Sequence, residues 1–187
     1  MKKYELTSET KIVFGHILYR IKALSSFGCV SAGDLGGFLE SEKNLSQNGN
    51  AWVSGNAEVY GNAEVYGNAE VYGNARVSGN AEVSGNARVS GNAWVSGDAW
   101  VSGNAEVSEI GAIFWIGAIG SRNDTATFFR CRDGSIKVVC GCFFGNLDEF
   151  AKKVRKTHGD NDHAKVYMLA IEMAKIRIGD KKEKTEE

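Results

Sequence analysis

The sequence has no excess of charge of either sign, no proline and no long hydrophobic run. Its 22 lysine and arginine residues are balanced by 23 aspartate and glutamate residues. This balance argues against a surface that binds duplex nucleic acid or another polyanion. The longest apolar run, Ile110 to Gly120, is about half of the roughly 20 residues that a membrane-spanning helix needs. We therefore expect neither duplex nucleic acid nor a membrane among its partners.

The sequence also lacks the features of a secretion signal, because no apolar core follows the lysines of its first residues, MKKYELTSETK. Without such a signal, cysteines are more consistent with reduced thiols than with a disulfide framework. The four cysteines are Cys29, Cys131, Cys140 and Cys142. We expect a cytoplasmic protein whose last residues, 180–187, form a disordered tail.

One six-residue motif dominates the sequence. Residues 49–108 are ten consecutive copies of Gly-Asn-Ala-x-Val-y, one of which has aspartate in place of asparagine. A fixed period of six predicts a parallel β-helix. Alanine and valine lie two residues apart, so on an extended segment both point inward while the x residue points outward. The Gly-Asn pair is expected to form the turn, since both residues tolerate left-handed backbone angles.

These hexads match the signature of the left-handed β-helix, an exception to the right-handed rule for parallel crossovers. Three hexads make one triangular coil, so residues 18 apart stack, and we expect about three to four coils. The x positions then form three faces: Trp52, Glu70, Arg88 and Glu106 on the first, Glu58, Arg76 and Trp94 on the second, and Glu64, Glu82 and Trp100 on the third. On the second face the stacking predicts a cation–π contact between Arg76 and Trp94.

Six outward aromatic side chains are more exposed aromatic surface than a monomer usually carries. They are the x residues Trp52, Trp94 and Trp100 and the y residues Tyr60, Tyr66 and Tyr72. One interpretation is a solvated prism stabilised by ladders of side chains. The other is a subunit interface. Left-handed β-helix proteins are commonly trimers, and this resemblance implies a homotrimer with these aromatics at its contacts.

The segment before the repeat predicts a cap for the coils. Residues 1–32 are expected to form a β-hairpin that turns near Gly15-His16. Residues 33–109 are expected to form the β-helix itself. Its first coil is degenerate, with Leu39 and Leu45 six residues apart. Capping is expected because the open end of a β-helix exposes unpaired strand edges.

The segment after the repeat, residues 110–179, predicts a small α+β domain, so that the fold class as a whole is mainly β. Two strands flank an Asp133-Gly134 turn. Asn146 is placed to cap a first helix that ends at Gly159. A second helix, from about His163 to Ile178 and ended by Gly179, is apolar on most sides and is therefore expected to be buried.

The densest group of hydrogen-bond donors lies in this C-terminal segment. Arginine combined with hydroxyl and backbone donors is suited to phosphate or carboxylate groups. The group predicts a site for a nucleotide or another small anionic ligand, with Phe128, Phe129 or Trp115 as a stacking face. The alternative is an ordinary loop whose Asn and Asp side chains bond their own backbone. The candidate ligand-binding residues are Ser121, Arg122, Asn123, Asp124, Thr125, Thr127 and Arg130.

No cofactor and no metal site are predicted. The Cys140-Gly141-Cys142 spacing is too short for the usual zinc pair and has no partner motif, so structural buried thiols are expected there. Cys142 and His158 have the chemistry of a nucleophile and a base, but nothing in the sequence places them together. No catalytic residue is assigned.

The hexads resemble those of the left-handed β-helix acyltransferases, which use a histidine at a subunit groove as general base. The ten copies here contain no histidine, so that catalytic feature does not carry over. Over nearly the whole chain, the order LYRIKAL, GDLGGFLE, GNAxV hexads, IGSRNDT, CGCF and AKIRI is similar to a group of uncharacterised proteins from bacteriophages and prophages. That resemblance implies the cytoplasm of a bacterial host and no established activity.

Three functions follow as hypotheses. The first is a non-enzymatic, phage-derived trimeric binding protein that sequesters a small anionic or nucleotide signalling ligand to counter host defence. The second is an acyl- or nucleotidyl-transferase of the hexapeptide family. The third is a structural or protein-interaction module.

Overall fold

The computed structural model describes residues 2–179, and the chain divides into two compact units. The first unit ends at Ile110 and the second begins at Gly111. The predicted tail, residues 180–187, lies outside the described residues. Across residues 2–179, no helix combines the length and the apolar character needed to cross a bilayer.

The first unit is a parallel β-solenoid of about four turns that follows an antiparallel hairpin. The hairpin consists of β1 (Tyr4–Val13) and β2 (His16–Ala23), and β2 also pairs with β3 (Leu35–Leu39). Each hexad contributes one two-residue strand from its x and valine positions. These strands are β4 (Trp52–Val53), β5 (Glu58–Val59), β6 (Glu64–Val65), β7 (Glu70–Val71), β8 (Arg76–Val77), β9 (Glu82–Val83), β10 (Arg88–Val89), β11 (Trp94–Val95), β12 (Trp100–Val101) and β13 (Glu106–Val107).

Strands 18 residues apart pair in parallel and in register, as the period predicts. Arg88, for example, lies between Glu70 and Glu106. The pairing gives three sheets with the orders β13-β10-β7-β4, β12-β9-β6 and β1-β2-β3-β5-β8-β11. The predicted distribution of x residues over three faces is therefore confirmed.

The solenoid core consists of the alanines and valines of the hexads. All ten alanines and all ten valines are at most 1% exposed. Full burial of a valine side chain contributes roughly 1.5–3 kcal/mol relative to leaving it in water. The inward orientation of both positions, predicted from their two-residue spacing, is confirmed.

The first turn of the solenoid is irregular, as expected of a degenerate coil. Leu39 aligns with Val59 and Leu45 with Val65, a separation of 20 residues, whereas Val53 aligns with Val71 at the regular 18. The chain therefore holds two additional residues between Leu45 and Val53. The buried Asn44 side chain supports this turn by donating to the carbonyls of Gly61 (3.1 Å) and Ala63 (2.9 Å).

Glycine and asparagine have different roles at the corners of the solenoid. Every hexad glycine has a positive φ, such as +69° at Gly79, whereas no hexad asparagine does. The asparagines instead form ladders along the corners. The side-chain amides of five asparagines donate to the asparagine one turn later, with N–O distances such as 3.1 Å from Asn62 to Asn80, and Asn80 donates to Asp98 at 2.9 Å. The predicted Gly-Asn turn is confirmed, and within it glycine alone adopts the left-handed conformation.

The hairpin contacts the face that carries Glu58, Arg76 and Trp94. Lys11 pairs with the Glu58 carboxylate at 2.8 Å, and the opposite oxygen of that carboxylate accepts from Arg76 Nε at 2.8 Å. Phe14, at the hairpin turn, stacks on Trp94 and lies 5.6 Å from the Arg76 guanidinium carbon. The aromatic partner of Arg76 is thus Phe14 rather than the predicted Trp94.

His16, at the start of β2, is also held within the first unit. Its Nδ1 lies 2.9 Å from a Glu40 oxygen, and its ring is 5.0 Å from the Tyr60 ring. The other Glu40 oxygen accepts from the Gly61 amide at 2.6 Å. The hydrogen bond from His16 is the main cause that lowers the pKa of Glu40.

The second unit is a four-stranded antiparallel sheet with two helices. Its strands are β14 (Ile113–Ile119), β15 (Asp124–Arg130), β16 (Ile136–Cys140) and β17 (Phe143–Asn146), paired in that order. The helices are α1 (Leu147–His158) and α2 (Asp162–Ile178). The predicted hairpin at Asp133-Gly134 is confirmed by the pairing of β15 with β16.

The helix boundaries follow the capping residues. The Asn146 side chain accepts from the Glu149 amide, and the Glu149 side chain accepts from the Asn146 amide, as predicted for a capping box. Gly159 follows α1 with a φ of +59°. The expectation that α2 is buried on most sides is wrong. Tyr167, Ile171 and Ile178 face the core, whereas a second row of apolar side chains is exposed.

Candidate functional site

A cavity of about 160 Å³ lies within the second unit. Its lining comes from the β14–β15 turn, the β16–β17 turn and the two helices. The residues that line it are Ser121, Arg122, Asp124, Cys140, Gly141, Cys142, Phe143, Phe150, Lys153, Val154, Thr157, His158 and Tyr167. The cavity therefore combines the donor-rich segment with the Cys-Gly-Cys turn and one face of α1.

The β14–β15 turn is shaped by unusual backbone angles. Gly120 has a φ of +70°, and a side chain at this position would overlap the Tyr167 ring. The non-glycine residues Ala118 and Asn123 also have positive φ, at +54° and +50°. Ala118 lies where the pairing of β14 with β15 shifts register. Positive φ at such residues is uncommon and is enriched at functional sites.

The floor of the cavity is aromatic. Phe150 lies 5.1 Å from Phe143 and 5.4 Å from Tyr167, measured between ring centroids, and the Tyr167 contact is edge-to-face. His158 stacks on Tyr167 at 5.9 Å. Aromatic contacts of this kind contribute about 0.5–1.5 kcal/mol beyond area burial, which holds the floor in one arrangement.

Two polar groups of the floor stay uncharged at neutral pH. The Cys140 thiol lies 3.7 Å from the Tyr167 hydroxyl and donates to it. Burial raises the pKa of Tyr167 to about 12, and the adjacent Cys140 adds to that rise. Burial likewise raises the pKa of Cys140. Cys140 is therefore a thiol rather than a thiolate, and it is poorly suited to act as a nucleophile.

Two basic side chains line the cavity at exposed positions, and we take these positions as its mouth. Arg122 and Lys153 are both exposed and come from the β14–β15 turn and from α1. The Arg122 and Asp124 side chains both lie close to Gly141, where a β-carbon would be 3.8 Å from the guanidinium and 3.4 Å from the carboxylate. With one carboxylate against two cations, the mouth is electropositive.

The structure brings together three of the seven predicted ligand-binding residues, namely Ser121, Arg122 and Asp124. Asn123 stands in the turn, and Thr125 follows Asp124 on β15, donating its amide to the Asp124 carboxylate at 2.8 Å. Thr127 is 1% exposed, and Arg130 donates to the Ile178 carbonyl. Neither of these two residues lines the cavity.

None of the proposed stacking residues lines the cavity. Phe128 and Phe129 are fully buried, and Trp115 lies on β14 opposite Thr127. The aromatic surface of the cavity comes instead from Phe143, Phe150 and Tyr167. Phe150, Lys153, Val154, Thr157 and His158 share one face of α1, so extending the apolar stripe of that helix would have found Lys153 and His158.

The two thiols of the Cys-Gly-Cys turn are not buried structural groups. Cys140 is half-buried and Cys142 is exposed, so that expectation is wrong. Cys142 and His158 both line the cavity, although nothing in the sequence predicted that they lie in the same site. No three His, Cys, Asp or Glu side chains among residues 2–179 cluster in a way that would hold a metal ion.

The outward aromatics of the solenoid fall into two groups. Trp52 is 8% exposed and packs edge-to-face against Tyr4 and Phe27. Tyr60 is 6% exposed and packs with Leu18 and Phe38. These two side chains are covered by the N-terminal segment of the same chain, so they are not available for a subunit contact.

The remaining aromatics are at least partly accessible. Trp94 and Trp100 are 41% and 39% exposed, and their indole nitrogens donate to Ser78 and Ser84. Tyr66 and Tyr72 are half-buried, and the Tyr66 hydroxyl donates to Glu82 at 2.7 Å. Of the six aromatic residues predicted at a subunit interface, these four therefore remain candidates.

Comparison with known proteins supports the solenoid and no other part of the chain. The family model described as YdcK beta solenoid repeat matches residues 69–85, 81–97 and 87–109. No curated protein matches the chain. The later hexads are therefore similar to the YdcK beta-solenoid repeat, and the second unit must be interpreted from its geometry.

Proposed function

We propose that this protein is a non-enzymatic binding protein whose second unit binds a small anionic ligand. The observation that carries the proposal is the cavity in which Arg122 and Lys153 flank the mouth above an aromatic floor. Guanidinium and ammonium donors recognise phosphate and carboxylate groups, and aromatic rings accept a flat or apolar portion of the same ligand.

The size of the cavity limits what it can enclose. Pockets for drug-sized ligands usually measure about 300–1,000 Å³, and this cavity holds about 160 Å³. We therefore expect it to enclose one anionic group together with a single ring or short apolar group. A nucleotide would insert one portion and leave the remainder at the mouth.

Three further features belong to the same proposal. The solenoid is left-handed and capped by its N-terminal hairpin, and it serves as a scaffold rather than a catalytic groove. It associates as a homotrimer through Trp94, Trp100, Tyr66 and Tyr72, whose accessible surface supports this role. In a phage-derived protein in the cytoplasm of a bacterial host, the ligand is a signalling nucleotide of host defence, which the protein sequesters.

A ligand-panel melt tests the binding site. The panel contains inorganic phosphate, AMP, ADP-ribose and cyclic dinucleotides, each added to the full-length protein. A ligand present at 100 times its Kd stabilises the folded state by about 2.7 kcal/mol, which a thermal melt detects. We expect at least one anionic member to raise the Tm, and calorimetric titration then gives its Kd.

Three variants show whether the cavity is responsible. Arg122→Ala and Lys153→Ala should each weaken binding roughly 10- to 100-fold, because a hydrogen bond to a charged group contributes about 1.5–3 kcal/mol. Lys152→Ala is the matched control, since Lys152 is exposed on the same helix and does not line the cavity. An equal loss in all three variants, or no Tm shift with any ligand, contradicts the proposal.

A second candidate is supported by the meeting of Cys142 and His158 at the cavity. A thiol that gives its proton to an imidazole can attack an acyl thioester, forming a thioester on the protein and releasing the donor as a thiol, which is the first half of a transferase reaction. In that case Cys142→Ser would abolish turnover of an acyl donor while leaving ligand affinity unchanged. Labelling of Cys142 by an acyl donor, detected by mass spectrometry, would favour this candidate over pure binding.

A further inference from the structure

The outer face of α2 carries a row of exposed apolar side chains. Val166 is 40% exposed, Leu169 64%, Met173 50% and Ile176 82%, all within a helix of 17 residues. The opposite face of the helix is already buried, with Tyr167, Ile171, Ala174 and Ile178 packed in the core of the second unit. The helix is therefore apolar on two sides, and only one of them has a partner within the chain.

The spacing of the exposed row is that of a coiled-coil seam. Its members are separated by three, four and three residues, which places Val166 and Met173 at a positions and Leu169 and Ile176 at d positions of a heptad. A helix that only covers its own sheet needs one apolar stripe. The second stripe has the pattern required to pack against another helix of the same kind.

The charges that flank the row complement a second copy in parallel orientation. In the heptad set by Val166, Glu172 occupies a g position and Arg177 the following e position. In a parallel pair, a g residue faces the e residue five positions later on the other helix, so Glu172 meets Arg177 in both directions. An antiparallel pair centred on the row would instead bring the two Glu172 carboxylates together.

The existing contacts of these charges leave them free to exchange partners. Glu172 pairs with Lys175 at 2.8 Å, and both side chains are about half exposed. Exposed pairs of this kind contribute little, about 0–1 kcal/mol. The Arg177 Nε donates to the Ile113 carbonyl at a long 3.4 Å.

We propose that α2 is a self-association surface, on which the Val166–Leu169–Met173–Ile176 row packs in parallel against the same row of a second copy of this chain. The partner is identified by the heptad spacing and by the Glu172–Arg177 complementarity. The proposal concerns a different surface from the ligand cavity and does not depend on the proposed function.

Light scattering coupled to size-exclusion chromatography tests the surface in the full chain. The double variant Leu169→Glu, Ile176→Glu should lower the particle mass at least twofold relative to the wild type. Because both positions are mostly exposed in the single chain, circular dichroism should show unchanged secondary structure. Lys152→Glu is the matched control, since it places the same new residue at an exposed helical position on α1 and should leave the mass unchanged.

A charge exchange tests the partner and its orientation. Glu172→Arg and Arg177→Glu each place like charges opposite one another in a parallel pair, so each variant alone should have a lower mass than the wild type. Mixing the two variants restores opposite charges on both sides and should recover the higher mass. The variant Met173→Cys, in a Cys29→Ser, Cys142→Ser background, should also form a disulfide with the same position of a second copy under mild oxidation by oxidised glutathione, because a positions meet in a parallel pair.

Specific results would overturn the proposal. A wild type with the 20.2 kDa mass of one chain at all concentrations excludes self-association. An oligomer whose mass falls with Trp94→Ala, Trp100→Ala but not with the α2 variants assigns association to the solenoid instead. If a mixture of the two charge variants keeps the lower mass, the parallel pairing is excluded.

Discussion

At the scale of single residues, the hexad glycine is the most constrained position in the solenoid. Gly79 has a φ of +69°, and a β-carbon there would lie 2.9 Å from the backbone nitrogen of Gly97 in the next turn. Gly15, in the hairpin turn, has a φ of +86° with nothing within 4 Å of a β-carbon. The two glycines share a backbone conformation but differ in their surroundings.

This difference gives a testable prediction. Gly15→Ala should destabilise the protein by about 1–2 kcal/mol, the cost of a left-handed conformation for an L-residue. Gly79→Ala should cost at least about 1 kcal/mol more, because the turns must also separate to admit the methyl group. Denaturant unfolding of both variants measures the difference. Equal losses would show that the close approach of the turns has no energetic effect.

At the scale of elements, the N-terminal hairpin and the solenoid face beneath it are joined by a buried carboxylate. Glu58 is 8% exposed and lies between Lys11 of β1 and Arg76 of β8. A hydrogen-bonded charge of this kind is costly to remove, because its partners are left without compensation. Glu58 is thereby one of the side chains that tie the hairpin to the repeat, beside the stacking of Phe14 on Trp94.

The strength of this connection can be measured with a matched pair. Glu58→Ala should lower the free energy of unfolding by about 1–3 kcal/mol. Glu64→Ala, at the equivalent exposed position of the next hexad, should change it by no more than about 0.5 kcal/mol. Chemical denaturation of the two variants provides the test, and similar values for both would contradict the role of Glu58.

The strands and faces of the solenoid were predictable from the sequence, whereas some side-chain burial was not. The period of six and the Ala–Val spacing were sufficient for the strands, the three faces and the core, because one local pattern is repeated ten times. The burial of Trp52 and Tyr60 was not predictable, since it depends on where the N-terminal segment crosses the solenoid surface.

The candidate site was predictable only in part for the same reason. Ser121, Arg122 and Asp124 were found because they are adjacent in the sequence. Lys153, His158 and Tyr167 reach the cavity from helices and lie 32, 37 and 46 residues after Ser121. The stripe of α1 identifies the helix face that carries Lys153 and His158, but the meeting of that face with the β14–β15 turn depends on how the helices pack against the sheet.

At the scale of the whole molecule, the solenoid is a stack of equivalent turns. Each turn contacts mainly its neighbours, so stability should be roughly the sum of repeat and interface contributions. Residues 18 apart occupy equivalent positions in every regular turn. The number of turns can therefore change without altering the pattern of any one turn.

Deletion of residues 79–96 should consequently give a folded protein one turn shorter, with a lower Tm and an unchanged circular dichroism signature per residue. Deletion of residues 79–93 is the control, because it shifts the phase by three and moves Ser96 and Asp98 into the inward positions of Ala81 and Val83. Burial of an unpaired carboxylate is costly, so this variant should unfold or aggregate. Comparable stability of the two deletions would contradict the model of equivalent turns.

The two additional residues between Leu45 and Val53 have a consequence for folding. Ten nearly identical hexads could pair with one another in several frames, each displaced by one full turn and each with similar energy. The irregular first turn cannot be copied elsewhere, since Asn44 and the hairpin contacts occur once. The irregular first turn therefore makes one pairing frame more stable than the others, and every later turn takes its register from it.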